Sequence, residues 1–316
     1  MRRSFRALAL TAAVALTLAA CGGDDVDDTI DDTTDEITDD TDDETDDTDD
    51  TDDTDTDTGD TDTDTGDGDG DGNGDGDGGE AAADLNLVSD GTLTVCSEVP
   101  YEPFEFEDPD APSGYSGFDI DLMQEIADRN GLDLTVINTG FEGLTSGAEM
   151  AAGTCDVAAS AITITEERAA NVDFTEPYYS AIQSLLVPVD SDISSIDDLT
   201  EGVTVGVQSG TTGADYAEEN VPGAEIRSYE GGGDLFTALE AGQIEAILQD
   251  EPVNANRADQ DDTVEVVETY DTGEDYGFAM VQDREDGLVA LLNDTLDELR
   301  ADGTYDEIFD SYFTEA

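Results

Sequence analysis

The spacing of apolar and polar positions divides the chain into three stretches. Residues 7–20 form one apolar run, shorter than the ~20 residues that a permanent membrane helix needs. Residues 22–80 carry almost no apolar side chains, as Asp/Thr repeats pass into Asp/Gly repeats. From residue 85 onward, short apolar runs alternate with segments whose apolar residues recur every three or four positions. Residues 93–96 predict a strand, 119–130 an amphipathic helix closed by Gly131, 134–137 a strand, 143–152 a helix and 156–160 a strand. A second series starts at 183–188. It predicts strand 203–207, helix 212–220, strand 226–228, helix 235–241 (capped by Asp234 and stopped by Gly242) and strand 246–248. After 264–267 the chain returns through 276–281 to helices 288–301 and 305–313. Strands alternating with helices predict an α/β fold with a largely parallel sheet.

Composition removes whole classes of chemistry. The chain has 84 acidic residues, 9 basic ones, all arginine, and no histidine. Without histidine there is no Ser-His-Asp or Cys-His pair and no histidine metal site. Without lysine there is no Schiff base and no complete Walker A loop. A net charge of −75 excludes nucleic acid as a partner, because phosphate binding needs a basic face. Residues 24–80 hold 30 of the acids, leaving 54 against six arginines in the remainder beyond the leader. So acidic a domain repels itself unless salt screens it, which reads as adaptation to saline surroundings.

Arg2, Arg3 and Arg6 before the apolar run make residues 1–20 a signal peptide. The run ends Leu18-Ala19-Ala20-Cys21, which resembles the bacterial lipobox and implies that Cys21 becomes a lipidated first residue anchored to the membrane. Residues 22–80 cannot bury enough apolar surface to offset their ordering entropy and read as a disordered tether. Mutual repulsion extends it beyond the roughly 45 Å of a neutral flexible chain. Asp69, Asp71, Asn73, Gly74 and Glu80 meet the spacing of a calcium loop. The eighth place is Gly76 and no helix precedes it, so no metal is assigned.

The stretch with the most chemistry runs from Asp156 to Arg168. It begins as a small-residue buried strand and ends on Thr165-Glu166-Glu167-Arg168, which looks like a helix start. A strand feeding a helix N-terminus offers N–H groups to an anion, and arginine can grip a carboxylate with two bonds. On these residues alone, Arg168 is equally a solvated surface side chain and the threonines equally caps. Gly153-x-Cys155-Asp156, Thr163-Ile164-Thr165-x-x-Arg168 and Asp173-Phe174-Thr175-Glu176-Pro177-Tyr178 add to the picture. So do Gly117-Phe118-Asp119-Ile120-Asp121-Leu122, Val205-Gly206-Val207-Gln208-Ser209-Gly210-Thr211-Thr212 and Leu299-Arg300-Ala301-Asp302-Gly303-Thr304-Tyr305. Taken in chain order, from about residue 93 to 313, they resemble the family-3 extracellular solute-binding proteins, the polar amino-acid-binding proteins of ABC importers.

That resemblance implies a two-lobed type II periplasmic-binding-protein fold with two crossing strands, near 181–188 and 274–281. Residues 1–20 are then the leader and 21–83 the lipidated cysteine and tether. One lobe comprises 84–182 plus 279–316, the other 183–278. The resemblance implies that Arg168 takes a ligand carboxylate, helped by Ser160, Thr163, Thr211 and the backbone near Ala161 and Thr212. Asp250 accepts from the ammonium, while as a bare residue it is a helix cap for the segment at Glu251. Tyr101 and Phe141 flank the ligand side chain, and Glu98, Gln208 and Gln249 line its far end. The expected function is capture of a polar or cationic L-amino acid by hinge closure and delivery to an ABC permease. The protein is expected to be a cofactor-free monomer outside the cytoplasm. Cationic amino acids rank above glutamine, with a compatible solute such as ectoine third. The alternative within the fold is a cyclohexadienyl or arogenate dehydratase-like enzyme with Glu98 as acid or base. Cys96 and Cys155 fall on neighbouring strands of the family sheet, as either a disulfide or two buried thiols.

Overall fold

A computed structural model describes residues 85–313. The expected signal peptide, Cys21, the expected tether and the calcium-loop pattern lie outside the described residues.

The first half of the described chain builds one wall of the molecule. Strand β1 (Thr92–Ser97) is followed by the small hairpin β2 (Phe106–Glu107) and β3 (Tyr115–Ser116). Helix α1 (Phe118–Arg129) and strand β4 (Asp133–Asn138) come next. α1 buries Phe118, Ile120, Leu122, Met123 and Ile126, one face of a 3.6-residue period. Helices α2 (Phe141–Thr145) and α3 (Ala148–Ala151), then strands β5 (Val157–Ala158) and β6 (Val172–Phe174), complete this part. The single helix expected over 143–152 is broken because Gly147 adopts φ 75°, which a helix interior does not accommodate. The helix expected at Thr165–Arg168 is only a three-residue 3-10 turn, Arg168–Ala170. It has no extended helix dipole to offer an anion.

Strand β7 (Tyr179–Pro188) crosses to the second wall, which contains β8 (Thr204–Gln208), α4 (Thr212–Asn220), β9 (Glu225–Tyr229), α5 (Gly232–Glu240), β10 (Ala246–Asp250) and α6 (Glu251–Gln260). α5 starts earlier than expected: Gly231 is its N-cap, no side chain caps it, and Asp234 sits inside its first turn. The chain returns on β11 (Val264–Tyr276), continues into β12 (Ala279–Val281) and closes with α7 (Leu288–Asp302) and α8 (Thr304–Tyr312).

Two five-stranded sheets result, ordered β4-β1-β5-β12-β6 and β11-β7-β10-β8-β9. Their orientation is mixed rather than largely parallel. β12 runs against β5 and β6, and β7 runs against β10 and β11. The reversals arise because the chain crosses between walls on β7 and again on β11, the two-lobed type II arrangement. The crossing strands pair from Val264↔Pro188 to Tyr276↔Tyr179, with register shifts between Val266 and Glu268 and between Tyr270 and Glu274. Each sheet buries its own apolar clusters, around Leu93, Phe118 and Met280 in the first lobe and around Val205, Leu248 and Ile247 in the second. Cys96 and Cys155 form a disulfide with Cα atoms 5.7 Å apart across 59 residues, a closure that stabilises a domain by about 2–4 kcal/mol. No helix among the described residues is long and apolar enough to cross a membrane.

Candidate functional site

On the first lobe, β5 runs out into Ser160 and Ala161, where Ala161 takes φ 46°. A β-carbon in that conformation is strained by roughly 1–2 kcal/mol, so the turn is held by its neighbours. Ser160 donates to Glu105 Oε1 at 2.6 Å, and the Ala161 N–H donates to Asp119 Oδ2 at 2.8 Å. The Ala161 N–H is therefore committed to Asp119 and is not offered to a ligand, contrary to the sequence expectation. Beyond it Thr163 bridges to Tyr276 of β11, which fixes the chain as it turns toward Arg168.

Arg168 is buried. Its Nη1 donates to the Thr163 carbonyl at 2.8 Å and its Nη2 to the Gly210 carbonyl of the other lobe at 3.0 Å. The guanidinium lies 5.3 Å from the centre of the Phe141 ring, a cation–π distance. Burial lowers its pKa, and the charges of Asp250 and Glu274 oppose that shift. The other five arginines of the described region each pair with a carboxylate. Arg168 makes no ion pair among the described residues.

The second lobe contributes strand ends. Gln208 closes β8, Thr211 caps α4 by accepting from the Ala214 N–H at 3.1 Å, and Asp250 closes β10. The first N–H groups of α4, at Thr212 and Gly213, have no acceptor within their helix. Asp250 occupies the N-cap position of α6 but makes no capping bond. Its carboxylate instead accepts from Tyr276 Oη and Gln183 Nε2, each at 2.5 Å, and from Tyr101 Oη at 3.0 Å. Burial, then the charge of Glu274, raises its pKa to about 6.

The two walls meet around a narrow cleft lined by Glu98, Tyr101, Phe141, Ser160, Ala161, Thr163, Arg168, Gln208, Thr211, Thr212 and Asp250. The structure thus brings together eleven of the twelve residues expected there. Gln249 is the exception. Successive strand residues face opposite sides, so with Asp250 turned to the cleft Gln249 points away and donates to Asn254 Oδ1 at 2.8 Å.

Residues 93–315 match the bacterial extracellular solute-binding proteins, family 3. The chain belongs to this family. A probable histidine-binding protein of Campylobacter jejuni is 32% identical over 225 residues, 71% of this chain and 86% of that protein. An ancestral amino acid-binding protein described as a precursor of cyclohexadienyl dehydratase is 36% identical at a TM-score of 0.65. That alignment covers 71% of this chain and 96% of the neighbour. An ancestral arginine-binding protein bound to glutamine is 34% identical, also at 0.65, over 71% of this chain and 99% of its own.

The far end of the cleft in this solute-binding protein is built on Glu98. Gln208 Nε2 donates to its Oε2 at 2.5 Å and the Gly232 N–H to its Oε1 at 3.3 Å. Burial raises the Glu98 pKa, against the lowering effect of the Gln208 bond. Gly232 is required by close approach, since a β-carbon there would stand 2.7 Å from the Tyr101 ring. Sequence reasoning missed Glu274 on β11. Its Oε2 accepts from Thr212 Oγ1 at 2.9 Å, Gln183 Nε2 at 3.1 Å and Thr163 Oγ1 at 3.2 Å. One carboxylate thereby joins both lobes and the crossing strand. The available signal was its period-two spacing from Tyr276, which places both side chains on the Asp250 side. No group of three or more metal-ligating side chains is present among the described residues.

Proposed function

We propose that this protein captures a free amino acid, cationic in preference to glutamine and ectoine third, by closing its lobes, and that it presents the closed form to an ABC permease. The observation that carries the reading is Arg168. In a domain with nine acids to each arginine, it is buried in the cleft with no carboxylate partner among the described residues. A ligand carboxylate fills that role with two parallel bonds, and the free N–H groups of α4 lie at the same end. Asp250 receives the ammonium. Because Arg168 and Asp250 belong to different lobes, a zwitterion favours the closed form over the open one, which is what a ligand needs to shift that equilibrium. Asp250 and Glu274 act on the guanidinium, which leaves Glu98 in the cleft lining without a cation, so a second positive charge on the ligand is favoured at Glu98. An acidic side chain is disfavoured by several kcal/mol. The relative described as histidine-binding and the ancestral arginine-binding neighbour, itself bound to glutamine, support an amino-acid ligand.

The test is a thermal-shift panel of the twenty amino acids, ornithine and ectoine in high salt. A ligand at 100 times its dissociation constant adds about 2.7 kcal/mol of stability. Arginine, ornithine or lysine should give the largest shift. If glutamate or leucine did, the role of Glu98 would be wrong. A second reading, a dehydratase, has two supports: Glu98 is a buried carboxyl with a raised pKa, and a neighbour is described as a dehydratase precursor. Phenylalanine released from arogenate would establish it, and we read the protein as a non-enzyme. The binding protein acts outside the cytoplasm as a monomer, held to the membrane by lipid on Cys21 after signal-peptide removal. Cys21→Ser should abolish detergent-phase partitioning.

A further inference from the structure

Behind the cleft, on the first lobe, lie two acids that do not line it. Glu105 and Asp119 are both fully buried. Their backbones run side by side: the Asp119 N–H donates to the Phe104 carbonyl at 3.1 Å and the Phe118 N–H to the Pro103 carbonyl at 3.0 Å. The approach is close enough that a β-carbon at Gly117, itself at φ 130°, would stand 2.1 Å from the Phe104 oxygen. The two carboxyls hold consecutive residues of the site. Glu105 Oε1 accepts from Ser160 Oγ, and Asp119 Oδ2 accepts from the Ala161 N–H and from Tyr178 Oη at 2.7 Å. Each acid is left with one buried oxygen, Glu105 Oε2 and Asp119 Oδ1, that has no partner among the described residues. Two ionised carboxylates so placed repel each other in a low-dielectric interior, and each orphaned oxygen adds a desolvation cost.

We propose that Glu105 and Asp119 share one proton, as a carboxylic acid bonded to a carboxylate, and that this pair is the positioning device for the Ser160–Ala161 turn of the cleft. A single O–H···O bond satisfies both orphaned oxygens and replaces repulsion with attraction. The pair then acts as one clamp on the strained Ala161 conformation, through the Ser160 hydroxyl on one side and the Ala161 N–H on the other. Its effect on ligand binding rests on the function proposed above; the proton itself does not.

The other titratable groups facing the pair are Glu98 toward Glu105, Tyr178 and Tyr101 toward Glu105, and Tyr178 and Tyr305 toward Asp119. No arginine pairs with either acid among the described residues. Burial, then the charge of Asp119, pushes Glu105 well above the usual carboxyl range, and burial pushes Asp119 up to about 7. Both pKa values are raised in the folded state. The stabilisation is therefore complete below the ordinary carboxyl range and is lost as pH rises through the folded values.

Infrared spectroscopy of the whole protein at pH 7.5 reads the proton directly, because nearly all other acids are ionised there. The expected result is a protonated-carboxyl C=O band that persists in Glu98→Gln and disappears in Glu105→Gln. A missing band, or one unchanged in Glu105→Gln, overturns the shared proton. The clamp is read by the ligand-induced thermal shift from pH 7.5 upward, as the pair loses its remaining proton. The shift should shrink with pH in the parent and stay flat in Glu105→Gln, whose amide donates permanently to Asp119. Glu105→Ala should lose it at every pH. Parallel profiles in parent and Glu105→Gln overturn the positioning role. A parent with no shift for any ligand refutes the amino-acid reading and leaves the infrared result standing.

Discussion

The two charged ends of the cleft are built on opposite plans. Asp250 is surrounded by donors, two tyrosine hydroxyls and an amide, and is satisfied before any ligand arrives. Arg168 is held by two carbonyls and a ring face and meets no anion among the described residues. In the proposed pose, the aspartate end is a network that a ligand ammonium joins, whereas the arginine end is a held cation that a ligand carboxylate completes. A network spreads the effect of losing one member, while a lone charge does not. The arginine end should therefore dominate affinity, and the aspartate end should dominate its pH dependence.

The largest effect is expected at the arginine. Arg168→Ala should weaken amino-acid binding by a factor on the order of 30 or more, since the ligand carboxylate is then buried unpaired. Calorimetry returning full affinity would refute the assigned pose. Asp250→Asn should cost less, about tenfold at neutral pH, because tyrosine and amide partners remain to orient the side chain. In the parent, affinity should fall as pH drops through about 6, where the carboxylate takes up a proton and stops accepting from the ammonium. That slope should vanish in Asp250→Asn, and a slope that survives assigns the titration elsewhere. At the far end, Glu98→Gln should shift preference from cationic ligands toward glutamine by about tenfold, on the scale of a partly screened charge pair. Unchanged relative affinities would remove Glu98 from ligand selection. Salt should act least on the cleft and most on the outside. Melting temperature should climb well beyond the concentration that screens a balanced surface, while closed-cleft affinity moves little. A melting temperature flat up to molar salt would sink the reading of saline adaptation.

Much of this comparison was legible in the chain itself. The alternation of strand and helix patterns located most elements, because each buries one face against a sheet and so carries its period. Arg168 and Asp250 were found through motif order over some 220 residues rather than through local chemistry, which allowed a surface arginine and a helix cap equally well. What stayed hidden depended on contacts distant in sequence. Glu274 reads as one more acid among 54 until β11 brings it beneath Thr163 and Thr212. Gln249 was misassigned because a strand-end dipeptide puts only one member on the cleft, and Asp250 already claimed it. The break at Gly147 and the short turn at Arg168 were missed for a different reason: apolar spacing registers a buried face but not the backbone dihedrals that interrupt it.

The crossing strands carry a last consequence. Tyr179 and Tyr276 are paired in register, so the whole segment from residue 180 to 275 leaves and rejoins the first lobe at adjacent points. Topologically it is a cassette with touching ends. Such a segment can be exchanged between relatives by two cuts without re-routing the scaffold. The exchange carries Gln208, Asp250 and Glu274 together while Arg168 stays behind. Evolution and the engineer alike can thus vary the second lobe's share of the cleft, the start of α4 included, while Arg168 itself is inherited unchanged.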